Sequence, residues 1–98
     1  MKYHLLIRPE AEADIEESFN WYEAECPGLG QEFRKALRHT VARIRSSPQS
    51  FPLVHRQIRR ALVNRFPHAF FYFLADKTIV VTACIHHKRD PKIWKRRN

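Results

Sequence analysis

Two adjacent histidines, His86 and His87, run directly into Lys88 and Arg89, and three more arginines, Arg59, Arg60 and Arg65, lie upstream. Imidazole titrates near neutral pH, so one ring can accept a proton while the other donates one. Guanidinium groups grip phosphate or carboxylate through two parallel N–H bonds. These residue types suit two uses. One is phosphodiester cleavage, with His86, His87, Arg60 and Arg89 as the working groups. The other is capture of a polyanionic surface without chemistry. Successive strand residues point to opposite faces, so both histidines reach one phosphate only where a strand has ended or bulged. The plainer expectation is that they close a strand and that one of them bonds backbone.

Other chemistries are poorly supplied. His4, His39, His55 and His68 are scattered, and no CxxC, HxxxH or HExxH spacing occurs, so no metal is expected. Gly28-Leu29-Gly30 lacks the Lys and Ser/Thr that complete a phosphate loop. Ser18, Ser46, Ser47 and Ser50 are expected on a helix or in a polar loop, away from the histidine pair, which leaves no nucleophilic triad. Cys26 and Cys84 are expected as a reduced, buried pair.

The elements that position these groups follow from pattern. Tyr3 to Ile7 reads as a strand. Pro9 suits a first helical turn, and Glu10, Glu12 and Asp14 sit where the helix dipole favours anions. Ile15, Phe19, Tyr22 and Cys26 share one helical face, which Trp21 widens. Pro27-Gly28-Leu29-Gly30 stops that helix, and a second is predicted from about Gln31 to Arg45. Its buried stripe is Phe33, Leu37, Thr40, Val41 and Ile44, with Arg34, Lys35, Arg38 and Arg45 on its other sides. A Pro-rich connector, Ser46 to Pro52, leads to three strands near Ile58–Val63, His68–Ala75 and Thr78–His86. Asp76-Lys77 is a plausible tight hairpin between the last two. In the last strand Ile79, Val81, Ala83 and Ile85 are expected to face the helices, with Thr78, Val80, Thr82, Cys84 and His86 on the other side. Half of Phe70, Phe71, Tyr72 and Phe73 must be core for the same reason, and the other half is expected to add core or partner contact.

Ninety-eight residues make one domain, 1–98, and 44% hydrophobic with 29% charged residues is ordinary for a globular chain rather than a disordered one. No apolar run approaches a membrane span, and the start has too short an apolar stretch for a signal peptide, so a cytoplasmic protein is expected. The net charge of +8 is split unevenly. Through Glu32 the chain sums to −6, with eight of its ten acids; from Phe33 onward it sums to +14. The basic part seeks a polyanion, either nucleic acid or an acidic protein segment.

Several segments, in this order, resemble the RelE/ParE family, the toxins of type II toxin–antitoxin pairs. They are Trp21-Tyr22-Glu23 through Gly30, then Phe33, the Pro48 to Pro52 connector and Arg65-Phe66-Pro67-His68 before the aromatic strand. His86-His87-Lys88-Arg89-Asp90-Pro91 with Trp94 looks like a ParE-like ending. The resemblance implies an α+β fold of order β-α-α-β-β-β, an N-terminal strand and helical hairpin packed on a small antiparallel β-sheet. It also implies a toxin that binds and poisons DNA gyrase, with no cofactor. Neutralisation would come from a cognate antitoxin that carries the only DNA contact. Target binding would fall to Arg59, Arg60, Arg65, His87, Lys88, Arg89 and Trp94. The alternative is a RelE-like endonuclease acting on mRNA at the ribosome. That branch uses a tyrosine near the C-terminus, where this chain carries Trp94. Indole has no acid–base equilibrium near neutrality, so a binding protein is expected rather than an enzyme. A third alternative is an inactive relative that keeps only antitoxin binding.

Overall fold

The computed structural model describes residues 3–97. Its elements are β1 (His4–Ile7), α1 (Pro9–Glu25), α2 (Leu29–Ser46), β2 (Leu53–His55), β3 (Ile58–Leu62), β4 (His68–Ala75), β5 (Thr78–His86) and α3 (Pro91–Arg96). The predicted order is present, with two short elements added, β2 and α3. The five strands form one sheet in the order β1-β5-β4-β3-β2. Neighbours β2 to β5 pair antiparallel, as expected, while β1 joins β5 in parallel. A parallel partner needs a long crossover, and everything from α1 to β4 supplies it.

Pro9 opens α1 at a position where its missing N–H is not needed, and Glu10 and Glu12 meet the positive end of the helix. Ile15, Phe19 and Tyr22 pack against the core. The same stripe stops short of two predicted members. Trp21 is 59% exposed, and Cys26 is exposed just beyond the helix end. Two helices on one sheet face leave the outer flank of α1 uncovered, so the widened stripe does not form. Only Cys84 of the two cysteines is buried.

Glu23 closes the helical hairpin. Its carboxylate accepts from Gly28 N–H through Oε2 and from Gly30 N–H through Oε1, both at 2.9 Å. Those amides begin α2, where donors lack helical partners and the dipole attracts an anion. Gly28 holds a left-handed φ of 93°, and a Cβ on Gly30 would stand 2.8 Å from the Phe19 ring. From there α2 buries Phe33, Ala36, Leu37, Thr40 and Ile44, close to the predicted stripe.

One residue decides the faces of β5. Tyr72 pairs with Val81 but Phe71 pairs with Ala83, so Thr82 is an extra residue on β5, a bulge. The bulge reverses the alternation beyond it. Ile79 and Val81 face the helices as predicted, but Cys84 then joins them, and Ala83 and Ile85 turn to the outer face. The predicted assignment therefore fails from Ala83 onward. Side chains brace the bulge: Thr82 Oγ1 donates to Phe71 O at 3.2 Å, and Cys84 N–H donates to Asp14 Oδ2 at 3.1 Å. Arg97 Nη1 donates to the same Asp14 oxygen and to Thr82 O.

Candidate functional site

The cationic residues singled out from the sequence fall into three environments. Arg59 and Arg60 are neighbours on β3 and therefore point to opposite faces. Arg59 lies opposite Tyr72. Its Nη1 donates to Phe51 O at 2.6 Å and to Gln49 O at 3.1 Å, while Tyr72 Oη donates to Pro48 O at 2.7 Å. These bonds pin the Pro-rich connector to the sheet. Burial pushes the Tyr72 phenol up to about 12, so it stays a donor. Arg59 therefore acts as a structural clamp on the connector.

Arg60 is half-buried, and its Nε has no hydrogen-bond partner among the described residues. It lines a cleft of about 730 Å³ between α2 and the end of β3. Across that cleft Lys35, His39 and Arg43 recur at i, i+4 and i+8 along one flank of α2. Arg43 also lies over the Phe51 ring, 5.3 Å from its centroid. Arg65 stands at the mouth with a left-handed φ of 74° and pairs with Glu32 at 3.4 Å. From sequence alone Lys35 reads as a decorating charge and His39 as one of several scattered histidines, while Arg43 has no assigned role. Their four-residue spacing was the available signal.

The third environment is the end of β5. His86 and His68 are paired across β4 and β5, with ring centroids 6.1 Å apart, and His87 stacks on His86 at 5.1 Å. His86 Nδ1 accepts from Lys88 N–H at 3.0 Å, and His86 O accepts from Arg89 N–H at 3.0 Å. The pair thus closes the strand and shapes a turn, the plainer of the two expectations. His87, Lys88 and Arg89 are exposed on that turn. Behind them His68 is 7% exposed. Its Nε2 lies 3.1 Å from Ser18 Oγ, and its ring lies 4.9 Å from that of Phe33. Ser18 therefore does meet a histidine, though not one of the adjacent pair. Burial first, then the neighbouring His86 and His87, lower the His68 pKa to about 4. His68 is neutral in the fold and serves packing.

Trp94, expected on the target-contacting surface, is 6% exposed instead. Its indole stacks on Phe71 at 4.5 Å and 12°, on the sheet face away from α1 and α2. Asp90 caps α3 by accepting from Lys92 N–H at 3.0 Å, and Pro91 fills the first turn. Among the described residues no group of three or more His, Cys, Asp or Glu side chains converges.

A helical hairpin on one face of a mixed five-stranded sheet, with a basic turn and a basic cleft at its rim, makes a small α+β domain. The family model for the ParE toxin of the type II toxin–antitoxin system parDE matches residues 5–91. The chain belongs to that family. Among solved structures it is similar to one described as the chromosomal ParDE TA system from P. aeruginosa, with a TM-score of 0.77 at 15% identity. That match covers 87% of this chain and 96% of the other, and at this identity it concerns the fold. A comparison with curated protein sequences finds no match. No helix among the described residues is long and apolar enough to cross a membrane.

Proposed function

We propose that this toxin arrests growth in the cytoplasm by binding and poisoning DNA gyrase, and that a cognate antitoxin silences it. The observation that carries the reading is the exposed turn His87-Lys88-Arg89 at the end of β5, cationic but without a paired acid and base. The Nδ1 of His86 is occupied by a backbone donor, and Trp94 is packed under α3. Those placements favour a surface that holds a macromolecule over one that cleaves RNA at the ribosome. Arg60, Arg65, His87, Lys88 and Arg89 remain the candidates for target contact.

The antitoxin side of the proposal draws on a second groove. Leu5, Ile7, Ile15, Leu37 and Val41 line a space of about 640 Å³, rimmed by Arg34, Arg38 and Arg45. Among the described residues the outer edge of β1 is unpaired, and Leu6 on it is 52% exposed. An acidic, partly apolar segment suits such a groove and such an edge. The complex would reach DNA through the antitoxin alone.

Two assays run together after induction test the target. A gyrase-dependent linearised plasmid with intact mRNA is the expected outcome. New mRNA ends within codons, seen by primer extension without linearised plasmid, would sink the gyrase reading.

A further inference from the structure

The helix α2 carries two cationic flanks, and they differ in what already occupies them. On the side toward α1, Arg34 lies over the Phe19 ring at 4.1 Å and Arg45 donates to Tyr3 O at 3.1 Å. Glu12 and Glu16 of α1 line the same groove as these arginines. On the side away from α1, Lys35, His39 and Arg43 follow one another at four-residue steps, all exposed. They form no ion pair among the described residues. From Arg34 to Ser46 the helix has no acid, and Glu32, just before, is engaged by Arg65. Each four-residue step advances about 6 Å along the helix axis, comparable to the step between successive phosphates of one nucleic-acid strand. Rings for stacking bases are missing there. Phe51 already takes the Arg43 guanidinium over its face and the Tyr72 ring at 6.3 Å. The exposed aromatic among the described residues is Trp21, on the acidic α1.

We propose that this flank of α2 binds the sugar–phosphate backbone of duplex DNA, with Lys35 and Arg43 each facing a phosphate and His39 between them. Backbone contact needs no stacking platform, and it gains affinity from the counterions that the phosphates release. A single strand asks for exposed rings beneath its bases, which this flank does not offer. Even spacing along a rigid helix suits an evenly charged rod better than a flexible acidic chain, which loses conformational freedom when it is ordered. The contact belongs to the free toxin. An acidic antitoxin seated in the groove beside β1 lies along the same helix and offsets its potential, which leaves the antitoxin as the complex's route to DNA. DNA binding does not depend on the choice of gyrase as target. On that reading the β5 turn holds the enzyme while α2 holds the DNA.

The test is fluorescence anisotropy of a short fluorescein-labelled DNA duplex with the purified full chain, repeated over a series of salt concentrations. Saturable binding is expected, with the logarithm of affinity falling linearly against the logarithm of salt. The double variant Lys35→Gln/Arg43→Gln should weaken binding by about tenfold or more at low salt and make the slope shallower by about 2, roughly one for each lost phosphate contact. Lys77→Gln/Lys92→Gln removes the same charge from the β4–β5 turn and from α3, and should change both far less. Glutamine keeps α2 helical, so both variants should melt as the wild type does. An equal change in the second variant would reduce the effect to bulk charge and overturn the proposal. So would the absence of saturable binding at low salt, or tighter binding of a single-stranded DNA or RNA of equal charge. Displacement of the duplex by a lower concentration of an equally charged glutamate-rich peptide would make the flank a protein-docking surface and overturn it as well.

Discussion

The inner face of the sheet carries α1 and α2, 17 and 18 residues long, while the outer face carries α3, six residues long. Phe33, Phe70 and Tyr72 fill the first interface, at 0–1% exposure. The second depends on Trp94 lying flat on Phe71, with Ile93 beside it. Both faces exclude water, but a six-residue terminal helix can lift away at far smaller cost than a hairpin of two long helices. The contrast separates what holds the fold from what borders the exposed cationic turn.

Removing one aromatic from each face is the strongest way to break that contrast. Phe33→Ala should cost about 3–5 kcal/mol, because the ring is fully buried and touches Tyr22, Phe66 and His68. Trp94→Ala should cost about 2 kcal/mol, since α3 can detach while the rest stays folded. Urea melts of both variants check this. Equal losses would mean that α3 belongs to the same cooperative core as the hairpin.

Next in size is the tie between the faces. Asp14 on α1 holds both the Cys84 amide at the bulge and the Arg97 guanidinium that follows α3, with Asp14 12% and Arg97 23% exposed. Asp14→Ala leaves a buried N–H without a partner and strips a partly buried cation of its carboxylate, leaving it only Thr82 O, so it should cost about 2–3 kcal/mol. Hydrogen exchange should locate the loosening at Cys84 and in α3. An effect spread evenly over all amides would show that Asp14 supports the whole core rather than this tie.

Much of the inner face was legible in the sequence, and most of the outer face was not. The stripe on α2 and the spans of β4 and β5 follow from long periodic runs, which few side chains can disturb. β2 has three residues and α3 has six, too few for any period to appear. The faces of Ala83, Cys84 and Ile85 depend on the bulge at Thr82, which arises from pairing with β4 and leaves no mark in a hydrophobic pattern. Arg59 and Arg60 are identical letters. One clamps a loop on the helix side and the other turns to the outer face beside Phe71, solely because strand neighbours alternate. Trp94 offered a correct chemical argument, that indole cannot exchange a proton, without any sign that Phe71 would cover it.

Acid should test the inner face alone. His68 is held neutral with a pKa lowered from 6.5 to about 4. Above pH 6.5 both folded and unfolded chains carry it neutral, so it adds no pH dependence. As pH falls from 6.5 toward 4 the unfolded chain takes up the proton and the folded one does not, so stability drops, by about 1–2 kcal/mol at pH 5. His68→Gln should flatten that part of a stability–pH curve. A slope that survives the substitution would assign the acid sensitivity to another group.

The smallest expected stability change belongs to the exposed turn, and there the contrast becomes functional. His87 and Arg89 are exposed, and neither side chain has a hydrogen bond or ion pair among the described residues. Their joint replacement by alanine should shift stability by no more than about 0.5 kcal/mol. The turn itself should persist, since it is made by His86 Nδ1 and by the backbone bonds from Arg89 to His86 and from His87 to Pro67. If the turn holds the cellular target, the double variant should relieve growth arrest while the antitoxin still binds, because the groove beside β1 is untouched. Loss of solubility or of antitoxin binding would make the pair structural. Continued growth arrest at wild-type strength would move target recognition off this turn and toward the cleft around Arg60.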